Sequence, residues 1–226
     1  MIERSRAGRR PAPKKRGSRT GFVVDPFRGR QYVFESGLEE EALHVLIADP
    51  DVTEIEEQLK PVFFRDAKSD EHSHWFDQRH RTSKGRRVAT AVKYHDDAVR
   101  DGLFELLGHV ARQAFVIDAD GRLVPFAHEY RIVTERHLDG VRVDNARTIV
   151  ACGAEQDVEA TGIVRGWLQA ADRTFPLGIV NGATGLGSRG FRAAVALIQS
   201  GAVVVPSGLR IAPETMVVNR LFNAGV

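Results

Sequence analysis

The order of helical and strand-like segments constrains the fold of this chain more than any other feature. Residues 34–52 carry a helical period, and Ser36 is the expected N-cap of that helix. Strand-like segments follow at 52–58 and 62–65, then a hairpin at 73–94, a helix at 97–114, a hairpin at 115–126, a strand at 129–138 and a short helix at 143–152. This alternation predicts an α/β core rather than an all-α or all-β fold.

The helix predicted over residues 97–114 is amphipathic. Its inner face is expected to hold Val99, Leu103, Leu106, Val110 and Ala114.

A different pattern begins near residue 153. Helical segments at 158–171 and 177–183 are followed by the turn "TGLG", a helix at 188–200 with Ser188 as its cap, and a hairpin at 202–218. This order is typical of a winged helix-turn-helix. The sequence therefore predicts a basic disordered arm over residues 1–20, one domain over 21–152 and a winged-helix domain over 153–226.

Charge is distributed unevenly along the chain. Residues 1–19 hold eight Lys or Arg against the single acid Glu3, a net charge of +7, so the rest of the chain carries −5 within the overall +2. A basic arm on an acidic body favours contact with phosphates of nucleic acid, and a solubilising tail is the alternative. The single cysteine, Cys152, suits a reducing cytoplasm, and no apolar run reaches the length of a membrane span or a secretory signal.

The strand "GRRVATAVKYH", residues 85–95, ends on a lysine, which is unusual for a buried strand. Asp77, on the first strand of the hairpin, can face Lys93 across it, and Glu39 on the preceding helix can point toward the same sheet. Two carboxylates suit Mg²⁺ or Mn²⁺, and Lys93 would orient a metal-bound water against a phosphodiester. The basic hairpin tip could grip the DNA backbone through Arg79, Arg81, Lys84, Arg86 and Arg87.

Four stretches in the same order resemble the TnsA-type transposon endonucleases, over about residues 30–150. They are "SGLEEEALHVLIADPDVTEIEEQ", "HWFDQRHRTSKGRRVATAVKY", "EYRIVTERHL" and "NARTIV". The resemblance implies a restriction-endonuclease-like PD-(D/E)xK core with a C-terminal winged helix. It also implies Mg²⁺-dependent phosphodiester hydrolysis at transposon ends, beside a partner transposase subunit.

The resemblance assigns roles to individual residues. Glu39 takes the helix carboxylate, Asp77 the metal-binding aspartate and Lys93 the motif lysine, and all three would be catalytic. Gln58 takes a glutamine that in the family often precedes a proline. The backbone carbonyl of Val92 would be a further metal ligand.

Ala91 departs from the family, which has Glu or Gln at that position. A methyl group cannot ligate a metal or hydrogen-bond a water. Either the Val92 carbonyl still ligates, or an acid moves in from elsewhere, the candidates being Glu57, Glu105, Asp96 and Asp97. Without such a rescue, a catalytically degenerate DNA-binding or assembly subunit is the alternative to a working nuclease. A winged-helix transcription regulator is a second alternative.

Three further features bear on binding. Arg189 and Arg192 on the expected recognition helix could touch DNA, although that helix is otherwise apolar and suits protein docking equally well. The stretch "GLGSRG" fits G-x-G-x-x-G, but too little chain follows for repeated βαβ units, so no nucleotide cofactor is expected. His72 and His74 lie in a polar segment and are expected to be solvated.

Overall fold

Strands and short helices alternate throughout the computed structural model, which describes residues 2–8, 19–66 and 68–223. The first part of the chain forms β1 (Gly21–Asp25), β2 (Arg30–Phe34), α1 (Gly37–Ala48), β3 (Val52–Glu57), β4 (Val62–Arg65), β5 (Glu71–His74), β6 (Gln78–Thr82), β7 (Arg87–Val92), α2 (His95–Arg100), α3 (Leu103–Gln113), β8 (Phe115–Ile117), β9 (Leu123–Pro125) and β10 (Glu129–Val133). The second part forms α4 (Gly140–Ala154), α5 (Val158–Ala170), β11 (Thr174–Pro176), α6 (Val180–Ala183), α7 (Ser188–Ala196), β12 (Val203–Val204) and β13 (Met216–Asn219). The predicted mixed α/β class is confirmed.

The chain groups into two compact units. The first contains Met1–Val24, Arg30–Leu46 and Asp51–Asp139, and the second contains Asp25–Gly29, Ile47–Pro50 and Gly140–Val226. The second unit begins its long segment at the first residue of α4, whereas the sequence pattern places a change after residue 152, inside that helix.

A four-stranded mixed sheet in the order β10-β7-β6-β3 is the centre of the first unit. β6 runs antiparallel to both β3 and β7, with Gln78 opposite Thr90, and β10 runs parallel to β7. Val88 to Ala91 of β7 are buried, and Ala89 and Ala91 belong to the same core as residues of α3, which explains the apolar composition of that strand. The hairpin β6–β7 places the residues before β6 next to the residues after β7.

Packing beneath this sheet is aromatic. The ring of the fully buried Phe76 lies 5.6 Å from the ring of Phe126 and 5.5 Å from that of Tyr130, between ring centroids. α3 adds Leu103, Leu107 and Val110 to the same core. These contacts anchor the chain immediately before Asp77, because Phe76 is its neighbour in sequence.

The single helix predicted over residues 97–114 is wrong. The chain forms α2 and α3, separated by Asp101 and Gly102, and Gly102 has a φ of +61° that glycine tolerates best. The break turns Val99 outward, so that it is 56% exposed instead of lying on the inner face. The remaining predicted core positions of this segment, which include Leu103 and Val110, are buried or partly buried.

The second unit combines helices with a small sheet. β13 pairs antiparallel with both β11 and β12, so the predicted C-terminal hairpin gains a third strand. α7 ends at Ala196 rather than near residue 200, and its N-cap is Gly187, without a side-chain cap from Ser188. Asp157 caps α5 by accepting a hydrogen bond from the Ala160 N–H at 3.0 Å. No helix in the described ranges is long and apolar enough to cross a membrane.

The predicted disordered arm is only partly within the described residues, since residues 9–18 lie outside them. Residues 2–8 differ from the prediction and pack against the first unit. The Gln31 N–H donates to the Glu3 carbonyl at 2.9 Å, and the Ser5 hydroxyl donates to the Glu57 carboxylate. Hydrogen bonds to Gln31 of β2 and to the buried Glu57 therefore hold residues 2–8 against the first unit.

Candidate functional site

A cavity of about 450 Å³ in the first unit brings together the three residues that the sequence predicts to be catalytic. Glu39 comes from the first turn of α1, Asp77 directly precedes β6 and Lys93 directly follows β7. Ala91, at the position that departs from the family pattern, lines the same cavity. Three elements that are distant in sequence thus contribute two carboxylates and one ammonium to one site.

Asp77 is fixed by the end of the hairpin. Its N–H donates to the Thr90 carbonyl at 3.1 Å, and its Oδ2 accepts a hydrogen bond from the Val92 N–H at 2.7 Å. The carboxylate therefore lies against the peptide that joins Ala91 to Val92.

Glu39 serves both the start of α1 and the cavity. Its Oε2 accepts from the Glu35 N–H at 2.9 Å and its Oε1 from the Ser36 hydroxyl at 3.0 Å, while Ser36 Oγ accepts from the Glu39 N–H at 3.2 Å. The arrangement is close to a capping box, and it explains why the Ser36 N-cap and Glu39 occur three residues apart. The side chain is only 7% exposed, so its orientation is set by these bonds.

Gln58 joins the two carboxylate-bearing segments. Its side-chain amide donates to Glu39 Oε2 at 2.9 Å, and its backbone N–H donates to the Asp77 carbonyl at 2.8 Å. Gln58 is buried and has a φ of +46°, which is uncommon for a residue with a side chain. Gln58 was named from the family resemblance, and in the structure it hydrogen-bonds to both Glu39 and Asp77.

Lys93 forms an ion pair with Asp101, the residue that follows α2. The Lys93 ammonium, and after it the Arg100 guanidinium, hold the pKa of Asp101 below its ordinary value. Asp101 lines the cavity but was not predicted. The signal that could have found it is the Asp101-Gly102 pair, which ends α2 and returns the chain toward the end of β7.

Aromatic residues surround the carboxylates. His74, Trp75 and Tyr94 line the cavity, and the His74 ring packs edge-on against Phe76 with centroids 4.6 Å apart. Burial, and after it the positive charge of Lys93, lower the pKa of His74 to about 4. The expectation of a solvated His74 is therefore wrong, whereas His72 is half-exposed and pairs with Asp66 at 3.0 Å.

The acids considered as replacements at position 91 lie in different places. Glu57 is buried against Ser5 and 3.8 Å from Arg30, and burial raises its pKa. The Asp96 side chain is 96% exposed, and neither it nor Glu105 is among the described residues that line the cavity. Asp97 does line it, and its carboxylate lies 2.6 Å from Arg100.

The donor set of the cavity suits a hard cation. Glu39 and Asp77 offer carboxylate oxygens, and Mg²⁺ commonly binds through one or two carboxylates while it keeps several waters. Within residues 2–8, 19–66 and 68–223, no group of three or more His, Cys, Asp or Glu side chains is placed to hold a metal ion. Glu39 and Asp77 are thus two carboxylates on the wall of one cavity, and binding of a cation by them and by the Val92 carbonyl stays a prediction.

The arginines expected to bind DNA differ in their surroundings. Arg79 contacts Glu56 at 2.6 and 3.0 Å and the Phe126 carbonyl at 2.9 Å, Arg81 contacts Glu54 at 3.2 Å and Arg87 contacts the Pro125 carbonyl at 2.6 Å. Lys84 and Arg86 lie exposed in the turn of the hairpin. The three arginines join strands, and contact of these five residues with DNA stays a prediction.

The two arginines of α7 are also engaged within the second unit. Arg189 donates to Asp157 at 2.7 and 2.9 Å and to Glu159 at 2.6 Å, and Arg192 donates to Glu155 at 2.6 Å. A DNA phosphate would have to compete with these carboxylates. DNA contact by Arg189 and Arg192 stays a prediction.

No protein-family model and no curated protein matches the chain. The functional interpretation therefore depends on the geometry of the cavity and on the sequence motifs that supply it.

Proposed function

We propose that the protein is a TnsA-like, metal-dependent DNA endonuclease subunit of a heteromeric transposase. The observation that carries the proposal is the convergence of Glu39, Asp77 and Lys93 on one cavity. The mixed sheet, whose hairpin β6–β7 holds Asp77 and Lys93 at adjacent strand ends, supports a restriction-endonuclease-like core. The short helix α6, the glycine turn and α7, with the sheet β11-β13-β12, support a winged helix.

The residues of the cavity would divide the work of phosphodiester hydrolysis. Glu39 and Asp77 would hold Mg²⁺, which polarises a phosphate and lowers the pKa of a bound water. Lys93 would direct the water toward phosphorus and offset the charge that develops on the phosphoryl oxygens. The new bond joins the water oxygen to phosphorus, and the bond from phosphorus to the sugar oxygen breaks.

DNA cleavage in the presence of the partner transposase tests this proposal. Transposon-end and supercoiled DNA would be incubated with the two proteins and Mg²⁺ or Mn²⁺. We expect cleavage by the wild type, none by Asp77→Ala, and unchanged cleavage by Asp120→Ala, whose carboxylate lies on an exposed turn. Equal cleavage by wild type and Asp77→Ala would refute the metal-site assignment.

A catalytically degenerate DNA-binding or assembly subunit is the second candidate, and Ala91 favours it. The residue is 3% exposed and presents a methyl group to the cavity where the family has a ligand or a hydrogen-bonding group. DNA binding without cleavage under either metal would support this candidate. Ala91→Glu would then be the decisive variant, because gained cleavage would show that only this side chain had been lost.

A further inference from the structure

β7, which directly precedes Lys93, carries no carboxylate, but the Lys93 ammonium has a carboxylate partner from another part of the chain. β7 ends at Val92, and the six-residue helix α2 begins at His95, two residues beyond Lys93. α2 ends at Arg100, and Asp101 directly after it forms an ion pair with Lys93 at the cavity wall. A carboxylate thus reaches Lys93 from eight residues further along the chain.

Lys93 is surrounded by an excess of negative charge. The described residues that line the cavity include four acids, Glu39, Asp77, Asp97 and Asp101, and one cationic side chain, Lys93. Asp97 is bound to Arg100, and Asp101 contacts Arg100 at 3.1 Å in addition to Lys93. If Asp101 were neutral, Lys93 would lose the carboxylate it is paired with, and its ammonium would repel a divalent cation at Glu39 and Asp77 more strongly.

We propose that Asp101 stands in for the carboxylate that position 91 lacks. It is a positioning residue, which acts through Lys93 by holding the ammonium at the cavity wall and offsetting its charge when a divalent cation binds Glu39 and Asp77. This inference rests on the proposed function, because it assigns a further residue to the same site. It selects Asp101 over Asp97, because the ion pair of Lys93 is with Asp101, whereas Asp97 pairs with Arg100.

Metal affinity can be measured through Trp75, which lines the cavity and can sensitise Tb³⁺ luminescence. The other tryptophan, Trp167, lies in the second unit, and Trp167→Phe keeps an aromatic ring against Phe175. In the full chain with this background substitution, Tb³⁺ would be titrated and then displaced by Mg²⁺. Thermal unfolding of each variant would confirm that it is folded.

We expect Asp101→Asn to weaken Tb³⁺ and Mg²⁺ binding about tenfold, as loss of a group that supports a metal site commonly does. The matched control Asp97→Asn, four residues earlier in α2 and on the same cavity, should stay within about twofold of the wild type, as should Asp101→Glu. Ala91→Glu should restore binding in the Asp101→Asn protein, because it returns a carboxylate to the strand of Lys93.

Three results would overturn the proposal. Unchanged metal binding in Asp101→Asn would show that the ion pair does not affect the site. Equal losses of metal affinity in Asp97→Asn and Asp101→Asn would show that only the net charge of the cavity matters. Absence of Tb³⁺ binding near Trp75 in the wild type would overturn this inference together with the metal-dependent nuclease. If the wild type binds metal and Asp101→Asn binds it equally well, only the role of Asp101 is refuted and the proposed nuclease function is unaffected.

Discussion

Hydrogen bonds from Gln58 fix the positions of both carboxylate-bearing residues of the candidate site. Its amide supports the Glu39 carboxylate, its N–H supports the Asp77 carbonyl, and Gln78 adds a bond from its amide to the Glu39 carbonyl at 3.2 Å. A left-handed backbone at a buried non-glycine residue costs on the order of 1 kcal/mol, and it persists because the surrounding bonds require it.

Gln58→Ala tests this role. The variant removes a buried hydrogen bond to a carboxylate, so we expect it to lower the free energy of unfolding by about 2 kcal/mol. Gln156→Ala is the matched control, because Gln156 has a similar φ of +49° but is exposed, and its effect should be below about 0.5 kcal/mol. Urea denaturation measures both values, and equal losses would show that the backbone, not the amide, matters.

At the scale of elements, the break between α2 and α3 is the feature that most affects the site. α2 ends immediately before Asp101, which pairs with Lys93. The left-handed turn at Gly102 then redirects the chain into α3, which begins at the buried Leu103.

Opposite effects are expected from two glycine substitutions in this region. Gly102→Ala must hold a side chain at a φ of +61°, which should destabilise the protein by about 1 kcal/mol. Gly108→Ala, inside α3 and 4.0 Å from the nearest side-chain atom, should stabilise it by up to about 1 kcal/mol through helix propensity. Chemical denaturation would detect the difference, and the same sign for both would contradict the role of the break.

The cap of α5 predicts a pH dependence. Hydrogen bonds from Arg189, and after them the bond from the Ala160 N–H, lower the pKa of Asp157 from 3.8 to about 2. Because the folded state binds this proton less tightly than the unfolded state, the stabilisation is present above pH 3.8 and is lost as the pH falls toward 2. The difference in melting temperature between wild type and Asp157→Ala should therefore narrow over that range, and a constant difference would argue against the cap.

At the scale of the whole molecule, each unit is assembled from separated stretches of chain. Residues 25–29 and 47–50 belong with the second unit although their sequence neighbours belong with the first. Phe27 and Pro26 pack so closely on Gly153 that a Cβ there would lie 2.4 Å from a ring carbon of Phe27. This contact ties the early segment to α4.

Gly153→Ala tests this tie. The clash should destabilise the second unit by about 1–3 kcal/mol, because the ring of Phe27 and the ring of Pro26 both have to move. Gly162→Ala on α5, with no atom within 4 Å of the added methyl group, should instead be neutral or stabilising. Calorimetry of the full chain would separate the two outcomes, and a neutral Gly153→Ala would contradict the close packing.

The local sequence pattern predicts most helices and strands of the first unit, but it does not predict which side chains contact each other. The strands at 52–57 and 62–65, the hairpin β6–β7 and the helix that begins after Ser36 all follow from periodicity and capping residues close in sequence. The prediction of one helix over residues 97–114 is wrong because the helical spacing of apolar residues continues across Gly102. The left-handed turn at Gly102 interrupts the helical backbone without changing that spacing.

The sequence by itself determined the mixed α/β class and pointed to four residues that line the candidate cavity, Glu39, Asp77, Val92 and Lys93, because helical and strand periods and short motifs depend on neighbouring residues. Only the tertiary structure decided that Asp101 meets Lys93, that Gln58 links Glu39 to Asp77, and that Arg79 joins strands. These outcomes depend on groups brought together from distant parts of the chain, where burial and the nearest opposite charge select each partner. The pattern of the strand could place Lys93, but the fold was needed to show which carboxylate lies beside that lysine.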